Sequence, residues 1–245
     1  MAYGFVALLN LVAAWFASRS GVSLAGANGA SSSGVGATAS GRAWDLVRKI
    51  TKCLLMPLLL VAFLGAGFSW TFVAAIMLCW LGDVALLRKQ EPLFFRLGLV
   101  GFLLGHVFYA ITFLNWVMRR GHAGIGSGLN IPALIASIII AVPLCWAILK
   151  LVDASVEMRV PVAAYTVVIL AMAITSLQLM LAMPPGAASL IFAGSLVFML
   201  SDTVMAYLLF HGQPRYFNVI TMIPYILAQF LIVLGAISLS NAYLI

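Results

Sequence analysis

Residues 72–113 read FVAAIMLCWLGDVALLRKQEPLFFRLGLVGFLLGHVFYAITF. Two apolar runs, each long enough to span a bilayer, are joined by a short charged turn carrying Arg88, Lys89, Glu91 and Arg96. The pattern predicts a membrane-spanning helical hairpin. Inside its apolar parts sit an acid, Asp83, and an imidazole, His106. An ionisable group at the centre of a spanning helix costs about 2.5–3.5 kcal/mol on insertion scales, so an intramembrane acid points to function. A second acid, Asp202, lies in LVFMLSDTVMAYLLF. The expectation is that the two aspartates share one pocket.

The rest of the chain agrees with that hairpin. Its 245 residues are 64% hydrophobic and 8% charged, with a mean hydropathy of +1.16, outside the range of a soluble globular domain. The predicted fold is all-α: one integral membrane domain over 1–245, a bundle of eight transmembrane helices. At about 20 residues per span, the candidates fall at 3–18, 44–66, 69–87, 94–117, 130–150, 160–182, 186–210 and 217–240. Helices and short loops leave no room for a soluble domain.

The net charge of +7 does not imply nucleic acid, because the bases sit at helix ends rather than in one solvated patch interleaved with aromatics. The positive-inside rule explains them better. With the loops after helices 1, 3, 5 and 7 in the cytoplasm, that side holds Arg19, Arg42, Arg48, Lys49, Lys52, Arg88, Lys89, Arg96, Lys150, Arg159 and Arg215. The other side holds only Arg119 and Arg120. This imbalance predicts both termini outside, in the cell membrane, or in the endoplasmic reticulum of a eukaryote. No basic region precedes helix 1 and no convincing cleavage site follows it, so it reads as a retained span. Cys53, Cys79 and Cys145 show no metal spacing and read as packing residues.

Between helices 1 and 2, residues 19–43 form a Gly/Ser/Ala-rich tract with almost nothing to pack, expected to be a flexible linker. Helix 2 pairs Asp45 with Lys49 four residues on. Lys52 lies a further turn in, where spacing alone favours snorkelling to the headgroups, and Pro57 predicts a kink. Helix 4 carries Gly98, Gly101 and Gly105 on one side, permitting close approach by a neighbour. His106 and Tyr109 share a face, and a lone histidine among apolar residues is more often structural than a ligand. Helix 5 holds no buried charge and reads as lipid-facing scaffold. Stripes follow at Tyr165, Met172 and Ser176, at Ser195 and Asp202, and at Thr221, Tyr225 and Gln229. No convincing repeat is legible between the first and second four helices.

Depth links these scattered polar residues. Counted at 1.5 Å per residue from the cytoplasmic ends, Lys52, Asp83, Tyr165, Asp202 and Tyr225 lie roughly 7–13 Å inside. His106 and Gln229 lie roughly 18 Å in. One cavity open to the inner leaflet can hold them, although facing directions cannot be read from spacing.

Several ordered motifs resemble a known family, the YhhN-like membrane proteins, whose characterised members are lysoplasmalogenases. The similarity covers roughly residues 48–237. It rests on Lys52 in ITKCLLMP, Gly82-Asp83 in WLGDVALL, and Gly98, Phe102, His106, Tyr109 and Phe113 in helix 4. It continues with Tyr165 in VAAYTVVILAM, Ser201-Asp202 with Phe210, and Tyr225 with Ala228-Gln229. The resemblance implies eight membrane helices and hydrolysis of the vinyl-ether bond of a lysoplasmalogen, releasing a fatty aldehyde and a glycerophospho-headgroup. The family's two acidic positions match Asp83 and Asp202. Two departures bear on headgroup preference: Leu208 and Leu209 replace an Asn and a basic residue before Phe210, and Pro224 replaces a tyrosine before Tyr225.

A vinyl ether is cleaved by protonating its β-carbon, which needs an acid and an anion near the developing oxocarbenium ion. Two carboxylates in one pocket supply both, one protonated as general acid, the other ionised to stabilise the cation and activate water. Tyr165, Tyr225, His106, Tyr109, Ser201 and Gln229 are candidate residues around the pair or the substrate, with Lys52, Arg48 and Lys49 candidates for the phosphate. The expected partners are a lysophospholipid substrate and membrane lipids, with no cofactor and no metal. Three rivals stay open: a proton-coupled transporter using the same acids, a divalent-ion site at Asp83, Asp202 and His106, and a packing or lipid-binding protein with structural acids.

Overall fold

The computed structural model describes residues 2–19, 39–67, 69–88, 91–122 and 128–243, and every regular element among them is helical. Eight α-helices follow one another: α1 (Ala2–Arg19), α2 (Ala39–Leu64), α3 (Trp70–Ala85), α4 (Pro92–His122), α5 (Ile131–Val152), α6 (Arg159–Ala182), α7 (Ala187–His211) and α8 (Phe217–Tyr243). Six segments are long and apolar enough to cross a membrane: Trp70–Arg88, Pro92–Arg119, Ile131–Val152, Val156–Ala182, Ala187–His211 and Phe217–Ala242. The chain is an integral membrane protein. α1 is shorter, and α2 carries Asp45, Arg48, Lys49 and Lys52 in its first half.

Two boundaries differ from the sequence expectation by five residues. α2 starts at Ala39 rather than 44, because Ala39 and Ala43 support helix across residues that read as linker. α4 runs to His122 rather than 117, since nothing before Gly121 stops it once the apolar run ends. Most of the predicted linker, and Lys89, lie outside the described residues.

The helices pack as a ring. α2, α3, α4, α6, α7 and α8 each touch the next, and α8 closes on α2. α1 lies outside against α2 and α8, and α5 outside against α6 and α7. The sequence shows no repeat, but the order of contacts places the run α2–α3–α4 and the run α6–α7–α8 three places apart round the ring, while α1 packs on α2 and α8 and α5 on α6 and α7. Along its most apolar stretch α5 buries nothing, as expected of lipid-facing scaffold. Its last turns do more, for Ile148 and Val152 are buried and reach the site described below.

The α3–α4 contact depends on missing side chains. A Cβ on Gly101 would lie 3.0 Å from the Gly82 nitrogen and 3.1 Å from the Leu78 carbonyl oxygen. Both obstacles are backbone, so the helices meet this closely only because these positions are glycine. α7 and α8 meet the same way at Gly194, whose Cβ would lie 2.9 Å from the Ala228 carbonyl. Each contact lies within a hairpin that carries an acid, Asp83 on α3 and Asp202 on α7.

Candidate functional site

Asp83 follows Gly82 near the end of α3 and is buried. Lys52 Nζ on α2 lies 3.0 Å from Asp83 Oδ1. The Tyr225 hydroxyl on α8 donates to Asp83 Oδ2 at 2.5 Å. Lys52 therefore turns inward to an acid, and the snorkelling expectation is corrected: an ion pair offers the ammonium a better partner than the headgroups.

The position of Lys52 is set one residue on. Pro57 has no N–H, so the carbonyl of Cys53, four residues earlier, loses its helical donor. Trp80 of α3 fills the gap, its Nε1 donating to the Cys53 oxygen at 2.8 Å. The same proline that weakens α2 thus ties it to the helix bearing Asp83.

Asp202 lies on α7 and is also buried. Its Oδ2 accepts from the Tyr165 hydroxyl on α6. His106 Nε2, on α4, approaches the same oxygen at 3.8 Å. The other ring nitrogen, Nδ1, donates to the Phe102 carbonyl at 2.6 Å; a carbonyl only accepts, so Nδ1 carries the proton. Nε2 is buried without a hydrogen-bond partner among the described residues. Phe198 meets His106 edge-on at 4.5 Å and Tyr225 edge-on at 5.5 Å, so one ring packs against partners of both acids.

Both carboxylates line a single cavity of about 230 Å³. Asp45, Arg48 and Lys49 stand at its basic edge, with Arg48 Nη2 and Lys49 Nζ each 2.7 Å from Asp45. Phe95, Leu99, Val152, Val162, Met205 and Phe210 supply apolar wall. The lining comes from the ends of α1, α3, α5 and α7 and the starts of α2, α4, α6 and α8, which is where the basic residues gather.

The remaining predicted residues separate by depth. Lys52, Tyr165, Ser201 and Tyr225 line the cavity. Ser201 Oγ, however, donates to the Thr221 carbonyl at 3.4 Å, joining α7 to α8. His106, Tyr109 and Gln229 do not line it; the Tyr109 hydroxyl donates to Gln229 Oε1 at 2.8 Å in the packed interior. The expected place of Tyr109 and Gln229 around the carboxyl pair is corrected on that ground. Trp80 and Phe198 were missed: a proline four residues after Cys53 signals an orphan carbonyl, but neither its donor nor a ring contact can be read from spacing.

The profile described as the YhhN family matches residues 47–236. The chain belongs to the YhhN family. No curated protein and no solved structure matches it.

The family region contains every helix of the ring in whole or in large part, and all the polar residues just placed except Asp45. Among the described residues, no three of His, Cys, Asp or Glu gather closely enough to hold a metal ion. That geometry goes against a divalent site at Asp83, Asp202 and His106. At the first of the two departures noted in the sequence, Leu209 lines the cavity and adds to its apolar wall.

Proposed function

We propose that the protein is a lysoplasmalogenase-type hydrolase, cleaving the vinyl-ether bond of a lysoplasmalogen to a fatty aldehyde and a glycerophospho-headgroup. One observation carries the reading: two buried acids far apart in the chain line one cavity that has bases on one edge and apolar wall on another. The bases suit a phosphate and the apolar wall suits an alkenyl chain. One carboxyl protonates the vinyl β-carbon, and its ionised partner stands beside the oxocarbenium ion, the division of labour that paired carboxylates use on glycosides. Lys52 holds one negative charge in the pocket, while Tyr165 and Tyr225 fix the carboxyl groups and His106 stands beside Asp202. All eight helices cross the membrane, the cavity opens toward the cytoplasm, and both termini lie outside.

Mass spectrometry of purified, detergent-solubilised protein incubated with mixed lysophospholipids tests this directly. A fatty aldehyde forms, and Asp83→Asn and Asp202→Asn each lower its rate by about 10²–10⁴-fold. Folded variants that both turn over near the wild-type rate defeat the proposal. Activity that requires a sealed vesicle favours a carrier instead.

A further inference from the structure

The two acids occupy matching places but have different companions. Asp83 on α3 takes partners from α2 and α8, Lys52 and Tyr225. Asp202 on α7 takes partners from α6 and α4, Tyr165 and His106. Moving three places round the ring of helices carries the first set of elements onto the second. The spacing agrees: 23 residues separate Asp83 from His106, and 23 separate Asp202 from Tyr225. Lysine in one half therefore stands where tyrosine stands in the other, and tyrosine where histidine stands.

This asymmetry changes what each carboxyl can do. Asp83 has both oxygens engaged, Oδ1 by an ammonium and Oδ2 by a phenol. Around Asp202, Tyr165 and His106 both sit on the Oδ2 side, and no partner is placed on Oδ1 among the described residues. Asp202 is also the more accessible, 8% exposed against 1% for Asp83. His106 does not supply the missing cation. An imidazolium–carboxylate bond closes to about 2.7–2.9 Å, whereas Nε2 stands 3.8 Å away and bonds to nothing among the described residues. A buried carboxyl without a cation is accommodated by holding a proton; one with an ammonium beside it stays ionised.

We propose that Asp202, through Oδ1, gives the proton to the β-carbon and takes one from the attacking water, and that Asp83, fixed by Lys52 and Tyr225, is a permanent anion that steadies the cation without exchanging a proton. This rests on the hydrolase reading above and assigns its two roles. The Asp202 O–H bond breaks as the C=C electron pair forms a C–H bond at the β-carbon. An ether-oxygen lone pair becomes the second bond of the oxocarbenium ion. Water adds to that carbon and gives its proton to the Asp202 carboxylate, which restores the acid and leaves a hemiacetal. The hemiacetal hydroxyl proton passes to the departing glycerol oxygen, giving aldehyde and alcohol.

Chemical rescue in the full-length protein tests the assignment. Asp202→Ala loses about 10²–10⁴-fold in turnover, and small carboxylic acids restore part of it. At equal concentrations of undissociated acid, the restored rate falls as the added acid becomes weaker, a dependence that a merely structural role does not produce. Asp83→Ala shows no such series. Asp83→Asn leaves Lys52 an unpaired cation beside the developing charge, so Lys52→Met added to Asp83→Asn recovers at least about tenfold over Asp83→Asn alone, an interaction of about 1.4 kcal/mol.

Infrared spectra add a readout that does not need activity or Asp202→Ala. Wild-type protein shows the C=O stretch of a protonated carboxyl, which Asp202→Glu shifts and Asp83→Asn leaves in place. A strength-dependent rescue at position 83 instead of 202, or a protonated-carboxyl band that disappears only with Asp83→Asn, overturns the assignment while leaving a two-carboxylate hydrolase standing. Near wild-type turnover in both Asn variants removes the hydrolase itself and this assignment with it.

Discussion

The Cys53 carbonyl shows how closely single residues couple here. Pro57 removes its helical donor and Trp80 replaces it, so either residue alone sets whether that carbonyl is satisfied. The bond is part-buried, and leaving such a carbonyl without a partner costs about 1 kcal/mol, the low end of the range for a fully buried one. Trp80→Phe keeps most of the packing and loses the donor, so its thermal unfolding in detergent shifts down by an equivalent amount. Adding Pro57→Ala returns an N–H to the carbonyl and recovers much of the loss; equal stability in the single and double variants contradicts the account. Asp45 behaves differently, because it is a partly exposed acid that holds Arg48 and Lys49. Such a pair is worth about 0–1 kcal/mol. Asp45→Asn therefore leaves stability nearly intact, frees both bases for a phosphate, and lowers KM for an anionic lysophospholipid with kcat unchanged. A raised KM sinks the assignment of those bases to the headgroup.

At the scale of elements, the hairpin of α3 and α4 fixes where Asp83 points. Gly101 faces the Gly82 nitrogen and the Leu78 carbonyl, neither of which can move aside without moving α3. Gly101→Val pushes the helices apart, at about 1–3 kcal/mol, and shifts Asp83 from Lys52 and Tyr225. Turnover falls with the melting temperature, whereas Gly4→Ala on α1, where nothing lies within 4 Å of the new Cβ, changes neither. A Gly101→Val protein with wild-type melting and turnover rejects this coupling. The hairpin was legible in the sequence because apolar length, a charged turn and the glycine side are all periodic signals. Depth along each helix was legible too, and it put Lys52, Asp83, Tyr165, Asp202 and Tyr225 in one layer, where they line one cavity. Rotation about each helix axis was not. Lys52 was misjudged for that reason, since its depth permits either an outward or an inward path. Gln229 shares a face with Tyr225 but sits one turn deeper, and it bonds to Tyr109 away from the cavity, so there depth rather than rotation separates it from the others.

For the molecule as a whole, the hidden feature was the correspondence of its two halves. Lipid-facing and interior positions accept almost any apolar side chain, so the halves can diverge in sequence while keeping the order of contacts round the ring. What survives is sparse: the two acids and the equal spacing from each to an aromatic ring on the next helix, His106 or Tyr225. Corresponding helices run the same way, so both acids lie toward the same end of the bundle, and the cavity they line sits with the bases. A site built this way takes its substrate from one face of the membrane. In the orientation proposed above from the positive-inside rule, that face is the cytoplasmic one. In a chain with its three native cysteines replaced by alanine, Leu209→Cys places one thiol on the cavity wall. A membrane-impermeant maleimide labels it in inside-out vesicles and not in right-side-out ones, and a lysophospholipid that fills the cavity slows the labelling. Labelling only in right-side-out vesicles reverses the orientation, and labelling that no lysophospholipid slows shows that this wall is not where the lipid binds.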